Sequence, residues 1–228
     1  MIKTILVPIN RAGWPFIAIF FSITVIATLI SEPLGFIGLI VTAWCIYFFR
    51  DPERYTPTRK NLVISPADGV IQSIEEAIPP TELEMGDKLL NRISIFMNVF
   101  DVHVNRIPIG GSITKLAYSP GKFFNASLDK ASKFNERQSI RLTLPNKEDI
   151  AFVQIAGLIA RRIKCYVKEE QIVATGERFG LIRFGSRVDL YLPKSTPILV
   201  AAGQRSIAGE TVIADFDNQE PTRNGEIR

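Results

Sequence analysis

Histidine and cysteine are scarce in this 228-residue chain, which has one histidine, His103, and two cysteines, Cys45 and Cys165. The cysteines lie far apart and lack redox or metal-ligand spacing, so neither a disulfide framework nor a zinc site is expected, and no metal is assigned. A reducing compartment is compatible with this usage. Charge is also missing where it matters: none occurs from Ala12 to Ser31 or from Pro33 to Phe49, and Glu32 alone interrupts the two runs. The basic residues do not cluster with aromatics in any nucleic-acid-binding module, so that class of partner is set aside. The net charge of +4 leaves an anionic membrane surface or an acidic substrate open.

What is present begins with those two apolar runs. At 1.5 Å per residue the first reaches roughly 30 Å and the second roughly 26 Å, so the first is long enough to span a bilayer and the second is marginal. Glu32-Pro33-Leu34-Gly35 is read as the turn between two helices. Lys3 and Arg11 precede the pair, and Arg50, Arg54, Arg59 and Lys60 follow it, which places both flanks on the cytoplasmic side of a cell membrane. No small-x-small cleavage pattern follows the first run, so the hairpin is expected to stay attached. The alternative is a buried hairpin in a soluble core.

After Arg50 the sequence turns polar and proline-broken, which marks a boundary: a helical hairpin over 1–50 and a second domain over 51–228. Short β-branched runs at Leu62–Ile64, Gly69–Ile74, Arg92–Val104, Ser139–Leu144, Ile150–Ile155, Arg178–Leu192 and Ile198–Ala201 predict a mainly β (α+β) domain. Helix is predicted only over Ala126–Glu136. Ser65–Gln72 and Gly203–Ala214 each read as a strand pair turned by glycine, as in barrel-sandwich carrier folds, although neither turn offers the lysine a carrier needs. The tail after Asp215 is polar and expected to fray.

Three residue types could carry chemistry. In Arg183-Phe184-Gly185-Ser186-Arg187-Val188-Asp189-Leu190 the even positions are apolar and the odd ones largely charged, so period-two alternation turns the Ser186 hydroxyl inward behind Gly185. Gly185 leaves its carbonyl open to a close neighbour, which suits an N-to-O acyl shift. His103, in Asp101-Val102-His103-Val104-Asn105-Arg106-Ile107-Pro108, shares a face with Met97 and Val99 by alternation, and is a candidate proton carrier. Asp68, in Ser65-Pro66-Ala67-Asp68-Gly69, is either a turn aspartate or a carboxylate that orients the imidazole. Each reading taken singly has a bland counterpart: a bulge serine, a strand histidine, a turn.

Taken in order, Phe48-Phe49-Arg50-Asp51-Pro52-Glu53-Arg54, the Asp68 block, the His103 block, Gln154-Ile155-Ala156-Gly157 with Ala160-Arg161-Arg162-Ile163, and Arg183-Phe184-Gly185-Ser186 resemble the successive blocks of the phosphatidylserine decarboxylase proenzymes of the short type. That resemblance implies self-cleavage between Gly185 and Ser186 into a large chain (1–185) and a small chain (186–228) that stay associated. It further implies conversion of Ser186 into a covalent pyruvoyl cofactor, which forms a Schiff base with phosphatidylserine and releases carbon dioxide to leave phosphatidylethanolamine. Asp68 and His103 are implied as assistants in cleavage, with His103 also the proton donor in turnover. Longer family members carry a second histidine where this chain has Arg106, so it stays open whether His103 performs both tasks or water, Asp68 or the main chain covers one of them. Arg161 and Arg162 are either receivers of the substrate phosphate or carboxylate, or solvated strand-end arginines. A homo-oligomer is compatible with the sequence. Two rivals remain: a membrane-tethered barrel-sandwich adaptor without catalysis, which keeps its chain intact, and a self-processing decarboxylase of a soluble amino acid derivative.

Overall fold

The computed structural model describes residues 7–121, 135–157, 162–183 and 186–218. Two compact units divide the chain, one of Met1–Glu53 with Phe100–Val102 and the other of Arg54–Val99 with His103–Arg228.

The first unit is a helical hairpin. Helix α1 (Trp14–Ile30) opens with Pro15 in its first turn, where the missing N–H costs nothing. It ends at Ser31, whose extended backbone breaks the helix. Helix α2 (Glu32–Phe48) then starts at once, with Pro33 in its own first turn. The turn is therefore Ser31, and Glu32-Pro33-Leu34-Gly35 opens the second helix instead of separating the two. The helices meet through small residues: Thr24 and Thr42 share a buried hydroxyl hydrogen bond of 3.0 Å, and a Cβ on Gly38 would lie 2.7 Å from Thr24 Oγ1. Ile19, Phe21, Ile26, Leu29, Phe36 and Ile40 face outward, as expected of helices that are apolar all round. Arg11–Ile30 is, among the described residues, the one helical stretch long and apolar enough to cross a membrane. The chain leaves α2 through Phe49, which stacks on Phe16 and whose carbonyl accepts from Asn10 N–H, and Asp51 N–H donates to Pro8 O. Arg50 Nη2 donates to Phe100 O at 2.7 Å.

The second unit is strand-rich. Its strands are β1 (Leu62–Ile64), β2 (Gly69–Ala77), β3 (Leu90–Met97), β4 (Val104–Arg106), β5 (Gly111–Ser119), β6 (Arg137–Thr143), β7 (Asp149–Ala156), β8 (Ile163–Cys165), β9 (Ile172–Val173), β10 (Arg178–Ile182), β11 (Ser186–Leu192), β12 (Arg205–Ser206) and β13 (Val212–Asp215). Eight of them form one antiparallel sheet in the order β12-β2-β3-β11-β7-β6-β5-β9, with a three-stranded sheet β4-β10-β8 and a pair β1-β13 beside it. The core lies between these layers and includes Ile71, Ile93, Ile95, Met97, Phe152, Phe179, Val188 and Leu190.

The run Arg92–Val104 is two strands in different sheets, not one, because the chain breaks at Asn98 and turns before His103. His103 therefore does not share a strand face with Met97. The run Arg178–Leu192 is likewise two strands, and Ile198–Ala201 contributes only an isolated bridge between Ile198 and Ala214. The two glycine-turned pieces are not strand pairs in themselves but pair with each other, β2 with β12, and β1, just before the first piece, pairs with β13. The helix predicted over Ala126–Glu136 lies outside the described residues except for Asn135 and Glu136, as does the tail beyond Asn218.

Candidate active site

Ser186 opens β11, the fourth strand of the large sheet, where it is flanked by Met97 of β3 and Ala156 of β7. Central strands are apolar on their inner face, and the serine is fully buried there, on the side that carries Val188, Leu190 and Leu192. Its Oγ lies 3.4 Å from Met97 Sδ and donates to it. The neighbouring strand end is tied down by Asn135, whose Nδ2 donates to Ala156 O at 2.7 Å, and by Ala156 N–H to Glu136 O at 2.9 Å. Gly185, the other half of the proposed cleavage bond, lies outside the described residues.

His103 is fully buried beside β4, and its carbonyl accepts from Ile182 N–H at 3.3 Å, in the strand that leads toward Ser186. Asp68 sits on the loop between β1 and β2. Its Oδ2 accepts from Arg54 Nη2 at 2.7 Å and its Oδ1 from Ala208 N–H at 2.8 Å, so the carboxylate is held by a cation and a main-chain donor at once. Gly69 follows because a Cβ at that position would overlap the carbonyl oxygen of Phe96. Asp68-Gly69 thus enters a strand pressed against β3 and is not a free turn. Arg106, at the position of the second histidine in longer proteins, is buried, with Nη1 donating to Gly176 O at 2.9 Å.

Arg162 is exposed, and Arg161 lies outside the described residues. Half-buried Arg183, three positions before Ser186, was not singled out in the sequence. Burial pushes its guanidinium pKa down, and the nearby charge of Arg162 adds to the push while Glu136 opposes it. Met97, Asn105 and Gln154 also went unmarked, although Gln154 stands as an amide inside an otherwise apolar run. All three are fully buried: Asn105 Nδ2 lies 3.7 Å from Met97 Sδ, and Gln154 Nε2 donates to Asn105 Oδ1 at 2.8 Å. Among the described residues no group of three or more histidine, cysteine, aspartate or glutamate side chains could hold a metal ion.

A buried serine at a strand head, a buried histidine and a clamped carboxylate thus stand within one strand-rich unit. Residues 41–214 match the family model described as phosphatidylserine decarboxylase. A protein of Paramagnetospirillum magneticum is 58% identical over 221 residues, covering 97% of this chain and 92% of its own. One of Cereibacter sphaeroides is 56% identical over 228 residues, covering 100% and 98%. One of Rickettsia rickettsii is 58% identical over 214 residues, covering 94% and 93%. All three carry the name phosphatidylserine decarboxylase proenzyme. The chain belongs to the phosphatidylserine decarboxylase family, and it is a decarboxylase.

Proposed function

We propose that the chain is a proenzyme that cuts itself between Gly185 and Ser186 and, as the associated chains 1–185 and 186–228, decarboxylates phosphatidylserine to phosphatidylethanolamine at the cytoplasmic face of the cell membrane. The observation that carries this reading is the near full-length likeness to proenzymes of that name. In the cleavage, Ser186 Oγ attacks the Gly185 carbonyl carbon and the peptide C–N bond breaks, leaving an ester and a free amine at residue 186. Loss of the Ser186 Cα proton then expels the oxygen with Gly185 as a carboxylate. Tautomerisation of the enamine and addition of water release ammonia and leave a ketone at residue 186.

The buried strand head suits such a group, because it keeps bulk water from an electrophilic carbonyl. A pyruvoyl group there supplies a carbonyl that condenses with the substrate amine and takes up the electron pair when carbon dioxide leaves. The chain's residues do the rest. His103 is the proton carrier for cleavage and for reprotonation, Asp68 orients it, and Arg161 and Arg162 receive the headgroup phosphate or carboxylate. The hairpin over 1–50 holds the domain over 51–228 where an anionic lipid reaches it by lateral diffusion.

The test is the denatured intact mass of the purified protein. Two chains are expected, the smaller lighter by one ammonia than the serine-ended peptide 186–228, and a single chain is expected for Ser186→Ala. A wild-type chain near 25.5 kDa that stays whole, or a small chain of full serine-ended mass, overturns the reading.

A further inference from the structure

The Ser186 hydroxyl gives its hydrogen bond to a thioether, a weak acceptor. A carbonyl or carboxylate in that place would hold the proton more firmly and turn the oxygen toward itself. Sulfur orients the hydroxyl while leaving the proton easy to remove. The sulfur is in turn fixed by a one-way chain of donors: Gln154 Nε2 donates to Asn105 Oδ1 at 2.8 Å, which commits the Asn105 oxygen and points its Nδ2 toward Met97 Sδ at 3.7 Å. The four side chains come from β11, β3, β4 and β7, and all are fully buried.

Two features argue that the amide pair is more than filler. Gln154 Oε1 is buried and meets no donor among the described residues, a cost that an apolar pair of similar shape would avoid. The amide is also tightly packed: a Cβ on Gly180 would lie 2.7 Å from Gln154 Nε2, besides 2.5 Å from the Lys164 carbonyl oxygen. Resting on the self-cleavage reading above, we propose that Met97, steered by the Asn105–Gln154 amide pair, is the positioning group that aims the Ser186 hydroxyl at the preceding carbonyl. No atoms are exchanged with these residues; they set the orientation from which the base takes the proton.

The test follows appearance of the small chain by denatured mass over time after synthesis, in the full-length protein. Met97→Leu keeps the volume and removes the sulfur, a swap that cores tolerate well. Asn105→Leu removes the amide donor, and its melting temperature is recorded alongside. Each single variant is expected to cleave roughly tenfold more slowly, the size of losing one orienting hydrogen bond. The double variant is expected to be no slower than the worse single one, because both residues act through the same sulfur. Independent packing defects would instead multiply, so a double variant slower by the product of the two overturns the proposal. Cleavage of Met97→Leu at the wild-type rate overturns it as well, while leaving self-cleavage itself intact. A wild-type chain that never cleaves overturns both readings.

Discussion

Arg187 and Asp189 form a fully buried ion pair on the face of β11 opposite the Ser186 side, with Arg187 Nη2 donating to Asp189 Oδ2 at 3.0 Å and Nε lying 2.9 Å from Oδ1. One charge-assisted hydrogen bond and a second close approach that lacks hydrogen-bond geometry hold the two charges together. Removing one partner strands a charge in the sheet. Asp189→Ala is expected to destabilise the protein by about 3–5 kcal/mol, whereas replacing both residues by apolar ones of similar size costs much less. Urea unfolding of both single variants and the double variant checks this, and a double-variant loss equal to the sum of the two single losses would show that the pair is not coupled.

That pair also marks where sequence reading stops. Alternation along Ser186–Leu192 identifies the inward face because apolar side chains recur at every second position. The same logic sends Arg187 and Asp189 to solvent, yet the second face of the sheet is covered too: Leu83 packs there with Ala151, Val153, Ile155 and Tyr191. The helical hairpin was legible because an uncharged apolar run as long as a bilayer is thick is uncommon in a water-soluble chain. β5 was missed because Thr114, Lys115 and Tyr118 blur its alternation. The pairing of β1 with β13 joins opposite ends of the domain, and no local signal reports it. At the site, Ser186, His103 and Asp68 could be named from their blocks, but the clamp of Arg54 on Asp68 and the thioether beside Ser186 depend on contacts across strands.

Gly69→Ala tests the close approach of β2 to β3. The added methyl would overlap the Phe96 carbonyl, which is main chain and has no rotamer to retreat into. A loss of about 2 kcal/mol or more is expected, within the range for overpacked cores or slightly above it. Because Asp68 is the preceding residue, self-cleavage should slow in the same variant. An unchanged denaturation midpoint would mean that the strands separate freely at this point.

Tyr191 provides a signature at alkaline pH. Burial, reinforced by the negative charge of Asp189, pushes its phenol up to about 12, against the favourable influence of Arg92. The unfolded chain ionises near 10. Above that value the unfolded state has lost a proton that the native state keeps, so stability is fully present below about pH 10 and falls as the pH rises toward and through about 12. Tyr191→Phe should flatten this decline. Phenolate absorbance against pH, paired with melting temperatures, checks both; ionisation near 10 in the folded protein would contradict the environment described.

The contact between Arg54 and Asp68 leads to the last prediction. Asp68 accepts from Arg54 at 2.7 Å and from the Ala208 amide at 2.8 Å, and both residues of the ion pair are largely shielded from water. A carboxylate that orients a histidine must not swing. Arg54→Gln keeps a donor but removes the charge, so Asp68 should be less firmly placed. The expected outcome is slower self-cleavage, roughly tenfold at neutral pH, corresponding to about 1.5 kcal/mol for a charged hydrogen bond. Asp68→Asn, which loses the carboxylate altogether, should be slower still. Cleavage time courses of the three proteins at neutral pH decide the matter. If Arg54→Gln matches the wild type, the ion pair only packs the loop and does not serve cleavage.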